Sequence, residues 1–231
     1  MIISLHLPKT AGTSFGKSLE EYFGGQFLKD YGDLPMHKPL HKRHWNAIRD
    51  CCVNGFVRNF SDTRCIHGHF LPFKYLITGI KKKAKFITWL RDPVERLASH
   101  YYYWQRTYDP DTAFPLHKRA VEENWSLERF CLGPELRNFY SQYLWGFPLG
   151  RFDFIGITEH FREDLSYFCE TILGDNLPAY IENRNEELEG NKIYLTDSDF
   201  RRRIELYHEK DMKLYHQIEA KRLLRNCDSK N

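Results

Sequence analysis

Three short stretches of this 231-residue chain carry side chains whose types and spacing suit work on an anionic group. The first is Pro8-Lys9-Thr10-Ala11-Gly12-Thr13-Ser14, where a lysine, a glycine and three hydroxyls crowd into one turn. A turn that opens a helix aims several backbone N–H groups and the positive end of the helix dipole at one spot. Lys9 adds a full charge, so the stretch reads as a cradle for a phosphate or sulfate group. The second is His67-Gly68-His69. Residues two apart in a strand face the same side, and imidazoles that titrate near neutrality are suited to take a proton from a hydroxyl. The third is Arg91 with Ser99, in Arg91-Asp-Pro-Val-Glu-Arg-Leu-Ala-Ser-His-Tyr101. A guanidinium fork and a hydroxyl at a helix start are complementary donors to a second phosphate.

The elements that must position these residues follow from the apolar pattern. Ile2, Ile3, Leu5 and Leu7 predict a first strand, Pro8 to Gly12 break it, and Thr13 and Ser14 are helix N-caps ahead of Phe15 to Tyr22. Five glycine or proline residues between Phe23 and Pro39 predict an irregular excursion. A helix over 40–52 and a short strand over 63–66 follow, the strand running into the histidine pair. That places both imidazoles at a strand end, where open α/β sheets bind ligands. Lys85 to Leu90 reads as a buried strand. Asp92 as N-cap, Pro93 at the first helical position and Glu95 three residues after the cap then predict a helix to about Arg106. Helices over 117–123, 126–131 and 135–145, a strand over 152–158 and a helix over 161–173 continue the alternation. An asparagine-rich turn over 182–191 leads to a long helix over 200–224. Alternating strands and helices predict a single α/β domain over 1–231, with a central parallel sheet covered by helices on both faces.

Composition narrows the classes. With 42% hydrophobic and 16% aromatic residues the chain is globular, and a net charge of +3 makes no case for nucleic acid. Six cysteines occur without a Cys-x-x-Cys pair or metal-ligand spacing, so reduced thiols in a cytosolic protein are expected, and no metal. There is no run of about 18 apolar residues that would span a membrane.

The order of residues in the first stretch differs from a Walker A loop, where the lysine follows the last glycine; here Lys9 precedes Gly12. The pattern instead resembles the 5′-phosphosulfate loop of sulfotransferases that use 3′-phosphoadenosine 5′-phosphosulfate (PAPS). In those enzymes a strand-end arginine and a serine eight residues later grip the 3′-phosphate, the relation of Arg91 to Ser99. Ile66-His67-Gly68-His69-Phe70 is similar to the His-Gly-His segment of the uronyl and heparan sulfate 2-O-sulfotransferases, whose histidines are the proposed bases. Weaker similarity continues through Asp153 to Glu159 and Asn183-Arg-Asn185. The resemblance implies a P-loop-like three-layer fold and PAPS as donor, with adenosine 3′,5′-bisphosphate as product and no metal. It implies a glycan or glycolipid acceptor. Lys9, Thr10, Ala11, Gly12, Thr13 and Ser14 would bind the 5′ end, with Lys9 also catalytic, and His67, ahead of His69, would be the base.

The eukaryotic relatives are Golgi membrane proteins with an N-terminal anchor, while this chain starts at its first strand, so a bacterial cytoplasmic enzyme without a membrane span is expected. Asn138, Gln142 and the aromatic stretches 101–108 and 140–145 are candidates for touching the acceptor. Two other readings stay open. One is an ATP-dependent kinase with Asp92 on magnesium. The other is an inactive nucleotide-binding module with Tyr101 to Trp104 as a partner surface.

Overall fold

The computed structural model describes residues 1–33, 37–178 and 197–228. Five parallel strands form one sheet: β1 (Ile2–Leu5), β2 (Phe27–Asp30), β3 (Cys65–Gly68), β4 (Lys85–Leu90) and β5 (Phe154–Ile157), in the order β2-β3-β1-β4-β5. All four residues of β1 and the last five of β4 are buried, as continuous apolar runs in a two-sided parallel sheet must be. Helix α1 (Gly12–Phe23) follows β1 and α2 (Leu40–Cys52) follows β2. Helix α3 (Leu76–Lys82) lies between β3 and β4, and α8 (Phe161–Phe168) follows β5. The sheet is sandwiched. On one face Phe15 and Leu19 of α1 and Phe168 of α8 pack on Ile2, Cys65, Ile87, Trp89 and Phe154. On the other face Phe86 lies against Gly79 of α3. Burying a side chain of this size stabilises the fold by about 1.5–3 kcal/mol, so these interlocking rings hold the sheet between its helices.

The chain divides into two compact units. The first holds residues 1–90 and 142–178 of the described chain, with the whole sheet, and the second holds 91–141 and 197–228. The second unit is built on α4 (Pro93–Arg106), with α5 (Pro115–Glu122), α6 (Leu127–Leu132), the first residues of α7 (Phe139–Tyr143), α9 (Ser198–Tyr207) and α10 (Glu209–Asp228). Asp92 caps α4 as its sequence predicts, accepting from the N–H groups of Val94 and Glu95 at 2.8 and 3.1 Å.

Four local expectations are corrected. The excursion over 23–39 contains β2, which pairs with β3 from Phe27 opposite Cys65 to Asp30 opposite Gly68. Helix α1 begins at Gly12 behind an Ala11 in the left-handed region (φ 61°), so Thr13 and Ser14 lie inside the helix and do not cap it. The helix expected over 135–145 is interrupted by Asn138 (φ 50°), whose N–H donates to His208 Nδ1. The long helix over 200–224 is two helices with His208 between them. That buried ring spends both nitrogens on backbone, donating from Nε2 to the Cys131 carbonyl at 2.7 Å, and burial holds its pKa down to about 4. The predicted turns at 182–191, including Asn183-Arg-Asn185, lie outside the described residues.

Candidate functional site

Helices α1 and α3, which leave the ends of β1 and β3 in turn, pack on opposite faces of the sheet. Adjacent parallel strands whose connections depart to opposite faces leave a crevice at their carboxyl ends. The loop after β1 and the residues after β3 therefore meet there, and both carry candidate residues.

After Leu5 the chain passes through His6 and Leu7 into a turn in which Lys9 and Ala11 both take positive φ, 69° and 61°. Such alternation curls successive N–H groups toward one side, the geometry of an anion-binding nest. The buried Thr10 braces the turn by donating its hydroxyl to the Leu7 carbonyl at 2.8 Å. Gly12 is buried against the His6 ring, Thr13 is exposed, and Ser14 and Lys9 are half-buried. No side chain caps α1. Its first N–H groups, which have no acceptor within the helix, therefore combine with Lys9 into a cluster of donors and positive charge.

The two histidines of the second stretch sit in different surroundings. His67 is the third residue of β3, opposite Ser4 of β1, and its Nδ1 shares a hydrogen bond of 2.8 Å with the Ser4 hydroxyl. Only 2% of it is exposed. Helix α1 closes over it at Gly16, where a Cβ would fall 2.5 Å from His67 Nε2, so glycine lets the helix pass this close. Burial first, then the neighbouring His69, holds the His67 pKa down to about 3. His69 lies one residue beyond β3, is half-buried, and directs Nδ1 at the His6 carbonyl at 2.5 Å. A carbonyl can only accept, so Nδ1 carries the proton and Nε2 the lone pair. Burial lowers the His69 pKa below the ordinary histidine value, and the bond to His6 partly offsets this. The glycine between them is required by the sheet. A Cβ at Gly68 would lie 1.8 Å from the Asp30 carbonyl of β2.

Two further members were not singled out from the sequence. The His6 ring lies 4.3 Å from the His69 ring and 5.2 Å from the His67 ring, centre to centre. Its Nδ1 shares a 2.9 Å hydrogen bond with the Tyr31 hydroxyl, and the Tyr31 ring stands edge-on to His69 at 4.8 Å. Burial, then His69, His67 and Lys9, pushes the His6 pKa well below its usual value. The cluster is thus a neutral, wedged stack of three imidazoles and a phenol. A polar residue inside the apolar run at His6 was the available signal. Tyr31 offered none, because it follows a strand hidden among turn residues.

In the second unit, Arg91 is half-buried and pairs with Glu95 at 3.5 Å, and its backbone is fixed on both sides by the Tyr140 hydroxyl. Ser99 is half-buried on α4. The Asp92 carboxylate is engaged by its cap and by Arg201 at 2.6 Å, which disfavours it as a magnesium ligand. Gln142 accepts from Arg43 at 2.8 Å. Tyr101 donates to the Trp125 carbonyl and Trp104 stacks on His117, so these rings are packed within the unit. Among the described residues no group of three or more histidine, cysteine or acidic side chains is placed to hold a metal ion and no helix is long and apolar enough to cross a membrane, and Cys51, Cys52, Cys65, Cys131 and Cys169 are free thiols.

The chain is 32% identical over 114 residues to heparan sulfate 2-O-sulfotransferase 1 of Xenopus laevis and 31% identical over 114 residues to that of Homo sapiens. Over that stretch it is similar to these enzymes. The matched stretch is 45% of this chain and 29% of each relative, so the chain matches less than a third of their length. No protein-family model matches the chain. Among solved structures, a mouse sulfotransferase complexed with PAP aligns with 82% of this chain and 62% of its own at 13% identity and a TM-score of 0.44. A sulfotransferase from Alicyclobacillus acidocaldarius aligns with 93% of this chain and 98% of its own at 15% identity and a TM-score of 0.44.

Proposed function

We propose that the chain is a sulfotransferase that moves the sulfuryl group of PAPS to a hydroxyl of a glycan or glycoconjugate. The reading rests on relatedness to the 2-O-sulfotransferases and on one geometric observation. His69 donates a hydrogen bond from Nδ1 to the carbonyl of His6, the residue that leads into the turn carrying Lys9 and the uncapped start of α1, and so keeps its lone pair on Nε2. A base next to a cluster of anion donors is what transfer of a charged group to a hydroxyl needs.

Each unit carries donors of the kind that PAPS would need. The turn from Lys9 to Ala11 and the first N–H groups of α1, at Gly12, Thr13 and Ser14, would hold the 5′-phosphosulfate, and Arg91 and Ser99 the 3′-phosphate. PAPS supplies an activated sulfuryl group with adenosine 3′,5′-bisphosphate as its leaving group. His69 Nε2 takes the acceptor hydroxyl proton as its oxygen attacks sulfur, and Nδ1 stays locked on His6. Lys9 stabilises charge on the departing phosphate side. His67, sealed under Gly16 and held by Ser4, supports the crevice and does not exchange protons with an acceptor. This assignment exchanges the order of the two histidines expected from the sequence, because only His69 is accessible.

The test is transfer of labelled sulfuryl from PAPS to a panel of desulfated glycans and lipid-linked saccharides. Product formation by the wild type, abolished in His69→Ala and retained in part in His67→Asn, supports the reading. Activity that survives His69→Ala undiminished contradicts the mechanism, and phosphoryl transfer from ATP contradicts the reaction class.

A further inference from the structure

Away from the histidine crevice, α2 carries an apolar face that the reaction does not explain. The helix buries Arg43, Ala47 and Cys51, at i, i+4 and i+8. Roughly across the helix, His41, Trp45, Ile48 and Cys52 recur at i, i+4, i+7 and i+11, and all four are exposed. The chain continues without a break into a π-helical turn, Val53–Val57, which buries Asn54 and Gly55 and leaves Phe56 and Val57 exposed. Trp45 is 67% exposed, Phe56 68% and Val57 79%, with Ile80 of α3 at 62% nearby. A contiguous exposed apolar face ordinarily marks a binding surface.

The charges around it say what it binds. Residues 37–58 contain five lysines and arginines against one acidic residue, Asp50; Arg43 is buried and Arg49 pairs with Asp50 at 2.7 Å, which among the described residues leaves Lys38, Lys42 and Arg58 as uncompensated cations. Lys81, Lys82 and Lys83 add three exposed cations from the end of α3. Lys81 donates to the Gly55 carbonyl and holds its ammonium 4.1 Å from the centre of the Phe56 ring, so its apolar stem and the ring share one surface. Outward-pointing aromatic and aliphatic side chains on a helix face, rimmed by cations on long stems, match a helix lying in the plane of a lipid interface. The rings enter the acyl boundary and the cations meet anionic headgroups. We propose that the α2 face docks this chain reversibly on an anionic bilayer surface. The proposal is independent of the reaction assigned above.

The test is co-sedimentation of the whole chain with phosphatidylcholine vesicles containing about one-third phosphatidylglycerol, beside pure phosphatidylcholine vesicles. Wild type binds the anionic vesicles, weakens severalfold between low and high salt because exposed charges are screened, and binds the neutral vesicles poorly. Trp45→Ser with Phe56→Ser weakens binding by about tenfold or more, and Lys42→Glu with Lys82→Glu does so in the anionic vesicles alone. Because these side chains are exposed, circular dichroism melts of both variants overlay the wild type. Failure of the wild type to bind, or binding unchanged in both variants, overturns the proposal. Self-association of the wild type that is abolished by Trp45→Ser with Phe56→Ser also overturns it, by assigning the face to a second copy.

Discussion

Acidification acts on this protein through histidines that are buried neutral. His67 has a folded pKa of about 3, depressed first by burial, against about 6.5 in an unfolded chain. The sign follows directly: the unfolded chain binds the proton first, so the stability contributed is fully present above pH 6.5 and is lost as pH falls toward the folded value. Between pH 7 and pH 5 one such residue withdraws about 2 kcal/mol of stability, with an unfolded pKa near 6.5 and a folded value well under 5. The figure is insensitive to the folded pKa, since a value of 4 changes it by about a tenth of a kcal/mol. His208, held at about 4, contributes a similar loss in the second unit. The assay is urea unfolding at pH 7 and pH 5, comparing wild type with His67→Asn, whose amide can keep the bond to Ser4 but does not titrate. The variant loses about 2 kcal/mol less than wild type over this interval. An equal loss in both proteins refutes the claim that His67 is buried neutral in the fold.

Three other outcomes are expected. His69→Ala lowers kcat by about 10²- to 10⁴-fold, and the acid limb of wild-type kcat/KM falls at a pH below the ordinary histidine value, as the lowered pKa of His69 requires; an acid limb above pH 7 contradicts this. Lys9→Ala costs about 10²- to 10³-fold in turnover with an unchanged melting curve, which single-turnover kinetics and calorimetry check together. Gly68→Ala forces a Cβ into the Asp30 carbonyl across the β2–β3 ladder and destabilises the protein by about 1–3 kcal/mol, measured by denaturant midpoint; a neutral substitution contradicts the described register.

The sequence was most informative where one local rule decides the outcome. Strands β1 and β4 are unbroken apolar runs, and the start of α4 is written in Asp92, Pro93 and Glu95, so both emerged as read. Strand β2 did not, because Phe27 to Asp30 carries no alternation and is a strand only through its ladder to β3. The start of α1 was misplaced because left-handed conformations at Lys9 and Ala11 put the N-cap at Ala11, two residues before the first of the obvious hydroxyl caps. The break at His208 is a tertiary effect, since the helical stripe continues through it while its ring is drawn to the Cys131 carbonyl. In the crevice, the motif named both histidines and put His67 first, whereas the proposed mechanism puts His69 first. Their difference arises from Gly16 of α1 lying over one ring and the His6 carbonyl turning the other.

The most direct test of the central claim is calorimetric titration of the purified chain with adenosine 3′,5′-bisphosphate and, in parallel, with ADP, each with and without magnesium. The account predicts binding of the bisphosphate that does not depend on the metal and is weakened in both Lys9→Ala and Arg91→Ala. Preference for ADP with magnesium, or bisphosphate binding unaffected by either substitution, would contradict it.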